Sequence, residues 1–188
     1  YLFCTKGKSM DQKIYDSYVE ILKRELVPAL GCTEPIALAY ASAKAVELLE
    51  AFPERMEALC SGNIIKNVKG VKVPCSGGLK GVEAAVILGA VGGDASRELE
   101  VIADVSEEET GAIAEYLKNT RITVEHIDQG ITFDILVTVK KGDSYARVRI
   151  ANYHTNIVLV EKDGELLSED ENATAMELEA RAVGSRIR

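Results

Sequence analysis

Between Thr33 and Ala51 the chain is apolar on most sides of a helical wheel, with Ile36, Leu38, Ala39, Ala41, Ala45 and Leu48 pointing in different directions. A helix of that kind holds in water only when other elements surround it. Its start is marked by Thr33, Glu34 and Pro35: a hydroxyl suited to capping, a carboxylate at the positive helix end, and a proline that fits the first turn. Aromatic residues make up 5% of the chain and Trp is absent, so the packing around this helix falls to Val, Ile, Leu and Ala.

The elements that surround it can be read from periodicity. Residues 11–30 predict a helix with Ile14, Tyr18, Ile21, Leu22 and Leu26 on one face, stopped by Pro28 and Gly31. Residues 55–60 predict a short strand broken by Ser61-Gly62-Asn63. Residues 70–74 predict another, followed by the turn Cys75-Ser76-Gly77-Gly78. A helix of small residues follows over about 79–91 and ends at Gly92-Gly93-Asp94. Ser106 and Glu109 have the spacing of a capping box and open a helix to Asn119.

The period then changes to two. Residues 122–127 alternate, as do Phe133, Ile135, Val137 and Val139. Past the turn Lys141-Gly142-Asp143, so do Ala146, Val148 and Ile150. Residues 157–160 make a further strand, ended by Asp163-Gly164. Ser168 and Glu171 repeat the capping-box spacing for a last helix over 168–188. The expected fold is α+β: N-terminal helices with short strands over about 10–119, an antiparallel β-meander over about 121–162, and a C-terminal helix that stops at Arg188 as if truncated. Residues 1–9 read as a tag or upstream remnant ahead of Met10. One mixed domain or two subdomains fit this pattern.

The net charge of −8 leaves no basic footprint for phosphates, which argues against nucleic acid as a partner and against a polybasic membrane contact. No apolar run has the length of a membrane span, and the N-terminus lacks a signal-peptide core. Cys4, Cys32, Cys60 and Cys75 show no C-x-x-C pair, so free thiols in a reducing cytoplasm are expected.

Four stretches have residue types that carry chemistry. In Gly31-Cys32-Thr33-Glu34-Pro35 a thiol precedes a helix N-terminus, where the dipole favours thiolate, a base or metal ligand; a buried inert cysteine beside an ordinary cap has the same pattern. Ser61-Gly62-Asn63-Ile64-Ile65-Lys66-Asn67 clusters groups that suit a small carboxylate or amine, or simply a turn with a solvated lysine. Pro74 to Gly81 reads as strand, glycine turn and helix start, a backbone cradle for an anion or a tight turn needing positive φ. His154-Thr155-Asn156 sits at the mouth of a strand and offers proton transfer near neutral pH, or a polar strand start. His126 lies in an alternating strand and reads as structural.

Taken in order, Gly31-Cys-Thr-Glu-Pro35, Ser61-x-Asn63-x-x-Lys66-Asn67, Val73-Pro74 through Gly77, Leu88-Gly89-Ala90-x-Gly92-Gly93 and His154-Thr-Asn-Ile-Val158 resemble the L-cysteine desulfidase family, which is related to the iron–sulfur L-serine dehydratases. The resemblance implies a lyase that eliminates across Cα–Cβ of L-cysteine to give pyruvate, ammonia and sulfide, with a 4Fe-4S cluster as Lewis acid. It implies Cys32 as base or iron ligand, with His154 beside it in the catalytic set. Glu34, Asn63, Lys66, Asn67, Ser76, Gly77, Gly78, Thr155 and Asn156 would surround the substrate. Members are about twice this length, so the chain is expected to be an N-terminal portion whose cluster ligands lie in a missing C-terminal half. That half would be its partner, the cluster would be absent from the fragment, and the fragment would be inactive alone. Self-association stays open, as does serine as substrate. Two other readings remain: a domain that binds a small amino or hydroxy acid without catalysis, and a structural protein in which the four stretches are only turns and caps.

Overall fold

A computed structural model describes residues 11–26 and 28–169. Its elements in chain order are α1 (Gln12–Glu25), α2 (Thr33–Leu49), β1 (Arg55–Cys60), α3 (Gly62–Val68), α4 (Val82–Gly92), a 3-10 turn (Ala95–Glu100) and α5 (Glu107–Asn119). Five strands follow: β2 (Arg121–His126), β3 (Asp134–Lys141), β4 (Ser144–Ala151), β5 (Ile157–Lys162) and β6 (Glu165–Glu169). The fold is α+β, as the change of period predicts.

The buried helix is α2. Eleven of its residues, from Pro35 to Leu49, are buried. It packs on α4 on one side and on β3 and β4 on the other. The two helices approach closely because α4 presents glycine: a Cβ on Gly89 would stand 2.1 Å from the Ala39 carbonyl oxygen, and one on Gly93 would stand 2.7 Å from the Ala43 Cβ. The Ser42 hydroxyl donates to the Val86 carbonyl at 2.7 Å, satisfying a polar group inside that seam.

The six strands run in the order β2-β1-β3-β4-β5-β6. The helices cover one face, where Met56, Ala58, Cys60, Ile135, Val137, Val139, Ala146, Val148 and Ile150 form the core. The turn Gly142-Asp143, with Gly142 at φ 57°, joins β3 to β4. Between β4 and β5 the register slips and Val158 is left as the extra residue, buried with Ile131 and Ala151.

Several expectations change. β1, which lies among the helices in sequence, enters the sheet between β2 and β3, so β2 is paired parallel to β1 and is not part of a meander. Segment 70–74 makes a single bridge, Lys72 to Lys80, in place of a strand, because the chain turns back at once. Residues 62–68 are helical, with Ser61 as cap, where the turn residues Ser61-Gly62-Asn63 predict a break. Cys32, not Thr33, occupies the cap position of α2. Ser168 belongs to β6, paired with Val160, so no helix opens there; residues 170–188 lie outside the described residues, as do residues 1–9. The capping box at Ser106 and Glu109 is formed as read.

Candidate functional site

The α2 N-terminus is held in place from two sides. Gly31, at φ 84°, lies against the Pro74 ring, where a Cβ would stand 3.3 Å from the proline Cγ. The Leu30 amide donates to Leu99 in the 3-10 turn at 3.1 Å. Cys32 then sits in extended backbone at the cap position, exposed, with its side chain making no capping bond.

Its thiol instead donates to Glu34 Oε2 at 3.1 Å. The other Glu34 oxygen accepts from Asn67 Nδ2 at 3.3 Å, which ties α3 to the start of α2. Thr33 Oγ1 lies 2.9 Å from His154 Nε2, and Phe133 packs edge-on to the imidazole with ring centroids 4.4 Å apart. Three separate parts of the chain therefore meet: the α2 start, α3, and the β4–β5 turn that carries His154.

The electrostatics run against a thiolate. Burial and the hydrogen bond to Glu34 push the Cys32 thiol above its ordinary value, and the Glu34 amide only partly opposes them. Burial also acts on Glu34, but the hydrogen bonds from Cys32 and Asn67 outweigh it and leave the carboxyl below its usual range. His154 is held below its ordinary value by burial, with the Glu34 charge acting in the opposite sense. At neutral pH the trio is a thiol, a carboxylate and a neutral imidazole. The direction is opposite to the expected dipole-stabilised thiolate: burial first, and then a carboxylate two residues on, keep the proton on sulfur.

The other predicted residues are placed as follows. Asn63, Lys66 and Asn67 share one face of α3, exposed opposite the buried Ile64 and Val68. Asn67 reaches Glu34, while Asn63 lines a separate cleft of about 210 Å³ with Ser61 and His126. Ser76 is buried and its hydroxyl donates to the carbonyls of Val73 and Leu79 at 2.7 and 3.2 Å, so it locks its own turn. Gly77 and Gly78 both have positive φ, and α4 starts at Val82, three residues later than read, with Gly81 as its cap. The Thr110 hydroxyl donates to the Cys75 carbonyl at 2.8 Å. Asn156 donates to the Ala151 carbonyl at 3.0 Å, and the Thr155 carbonyl accepts from the Ile157 amide at 3.1 Å, so both shape the turn that presents His154.

His126, structural by its alternating strand, lines that cleft, and a Cβ on Gly62 at the start of α3 would stand 3.3 Å from its Nε2. Cys60 is buried and pushed up to about 12, chiefly by burial. Among the described residues no group of three or more His, Cys, Asp or Glu side chains is placed to hold a metal ion. Among them, too, no helix is long and apolar enough to cross a membrane.

The chain is similar to proteins named UPF0597. It is 51% identical over 155 residues to the one from Desulfitobacterium hafniense, covering 82% of this chain and 36% of that protein. It is 45% identical over 158 residues to the one from Lachnoclostridium phytofermentans (84% and 38%) and 42% identical over 161 residues to the one from Treponema denticola (86% and 37%). The chain thus spans well under half the length of the curated relatives it matches. No family model and no solved structure matches it. The resemblance to the L-cysteine desulfidase family is corrected by this result: the relatives carry the name UPF0597, and none of those three is named a desulfidase.

Proposed function

We propose that this chain supplies the proton-handling part of a lyase acting on a small amino acid such as L-cysteine or L-serine. The observation that supports this is the connected group Cys32, Glu34, Asn67, Thr33 and His154, drawn from the α2 start, α3 and the β4–β5 turn. A β-elimination needs a base for the α-proton and an acid for the leaving group. His154, held neutral by burial, suits the base. Cys32, held protonated, suits the acid, and once it has given up its proton it is reprotonated from solvent while His154 releases the α-proton to solvent. The Cα–H electrons form the Cα–Cβ double bond as the Cβ–S or Cβ–O bond breaks. The leaving group takes the proton from Cys32, and the aminoacrylate product hydrolyses to pyruvate and ammonia.

A 4Fe-4S cluster takes three or four thiolates. The described cysteines do not gather to meet that demand: Cys60 is sealed in the core, Cys32 and Cys75 are exposed, and no group of three or more described His, Cys, Asp or Glu side chains is placed to hold a metal ion. No step here runs through a cluster.

The test is α-proton exchange. The protein is incubated with L-cysteine or L-serine in D2O under anaerobic conditions and followed by NMR, together with pyruvate and sulfide release. Exchange is expected in the wild type, with His154→Gln lowering it by roughly 10²–10⁴-fold. Binding of the amino acid with no exchange would overturn the lyase in favour of a non-catalytic binding domain, a reading that the hydrogen-bonded Cys32–Glu34 pair also supports.

A further inference from the structure

The face of the sheet turned away from the helices carries a second feature, unrelated to the group around Cys32. We propose that it holds a binding site for a small organic anion of two or more negative charges, formed by Arg121, Arg55 and Lys140 on adjacent strands β2, β1 and β3.

Register puts the three in one row: Arg55 is opposite Arg121 on one side and opposite Lys140 on the other. Cross-strand partners share a face, and neighbouring strands lie about 4.8 Å apart, so the three stems rise within about 10 Å. Like charges placed opposite one another destabilise a sheet. Among the described residues none of the three side chains has an ion pair or a hydrogen bond.

The rest of the same face behaves differently. Arg149 is held by Asp134, with Nε and one terminal nitrogen each 2.8 Å from a carboxylate oxygen, and Arg147 lies 3.7 Å from Glu161. A chain of net charge −8 matches those cations and leaves this row unmatched.

The row opens on a cleft of about 320 Å³, also lined by Thr123, Glu57, Thr138 and Glu125. The next row along the strands is Thr123, Glu57 and Thr138, again side by side. Thr138 is otherwise 3% exposed, and its hydroxyl has no partner among the described residues. Cations at one end, and at the other Glu57 between two hydroxyls with Glu125 beside them, define the ligand. Its anionic groups face the Arg/Lys row, and hydroxyl or amino donors face Glu57. A hydroxylated polycarboxylate or a phosphorylated small molecule has that shape of charge, and the cleft is at the lower end of ligand-pocket volumes. The cleft lies at the Arg55 end of β1, while α3 and the Cys32 group follow the other end, so the two sites stand or fall separately.

Citrate, which has three carboxylates and one hydroxyl, is the probe. Thermal unfolding and titration calorimetry of the chain are run with citrate and with sodium chloride at equal ionic strength. Citrate is expected to raise the midpoint, since a ligand that binds only the folded state stabilises it, and sodium chloride is not. Arg55→Gln with Arg121→Gln is expected to weaken citrate binding more than tenfold while raising the midpoint of the ligand-free protein. Lys141→Gln removes one positive charge at the position next to Lys140, which points to the opposite side of the pleat, and is expected to leave citrate binding unchanged. A shift matched by sodium chloride, retained in the double variant, or lost equally with Lys141→Gln would overturn the site.

Discussion

Glu34 ties two of its neighbours together, accepting from Cys32 and from Asn67. Cys32 stands where a helix end would favour its thiolate, yet its proton is shared with a carboxylate 3.1 Å away, and its thiol is pushed upward. Replacing Glu34 with Gln removes both the acceptor and the charge. The expected outcome is faster alkylation of Cys32 by iodoacetamide at about pH 8, by roughly three- to tenfold, with Cys75 as an exposed internal reference. Peptide mass spectrometry reads each site, and an unchanged or slower rate at Cys32 would mean the carboxylate does not hold the proton. The position of Cys32 before a helix was legible in the sequence. Its protonation was not, because two residues of spacing do not say whether the side chains meet. Ser76 and Asn156 teach the same lesson: polar residues that looked free for a ligand spend their hydrogen bonds on their own turns.

Among the elements, the α2–α4 pair shows what small residues accomplish. Gly89 lets the two backbones approach until a methyl group would collide with the Ala39 carbonyl, a rigid neighbour. Gly89→Ala is expected to destabilise the fold by about 1–3 kcal/mol through forced separation, seen as a lower urea midpoint at unchanged slope. Gly111 in α5 makes the contrast, since a Cβ there meets nothing within 4 Å. Gly111→Ala should stabilise by up to about 1 kcal/mol through helix propensity. If both substitutions move stability the same way, close approach is not what Gly89 provides. Helices α1, α2, α4 and α5 and strands β1 to β5 were legible because a local pattern of residue types, or the turn residues that bound it, marks each. Helix α3 was not: Ser61-Gly62-Asn63 is a turn signal by composition, and only the bond from the Ile64 amide to the Ser61 hydroxyl makes it a cap. Segment 70–74 carried a strand pattern but found no sheet edge to join.

For the molecule as a whole, stability should fall at alkaline pH. Cys60 faces the core from β1, and burial raises its thiol from an ordinary 9.0 to about 12. Its raised value means the unfolded chain loses this proton first. The contribution is complete below pH 9 and is lost as pH rises toward about 12. At about pH 10.5 the loss is about 2 kcal/mol, and Cys60→Ala should flatten that part of the denaturation profile relative to wild type. An identical slope in the variant would place the alkaline transition elsewhere. His154 acts at the other end: its lowered value means the unfolded state binds the proton first, so stability declines as pH drops below the ordinary imidazole range. The sequence alone determined that α2 would be buried, that helices would give way to paired strands, and that the core would be aliphatic, because these follow from neighbours along the chain. Only the tertiary structure decided that β1 lies between β2 and β3, that three cations stand in a row across β2, β1 and β3, and that His154 meets Thr33 from 121 positions away. Register and long-range contact arise from how faces fit together, and no local period records that fit.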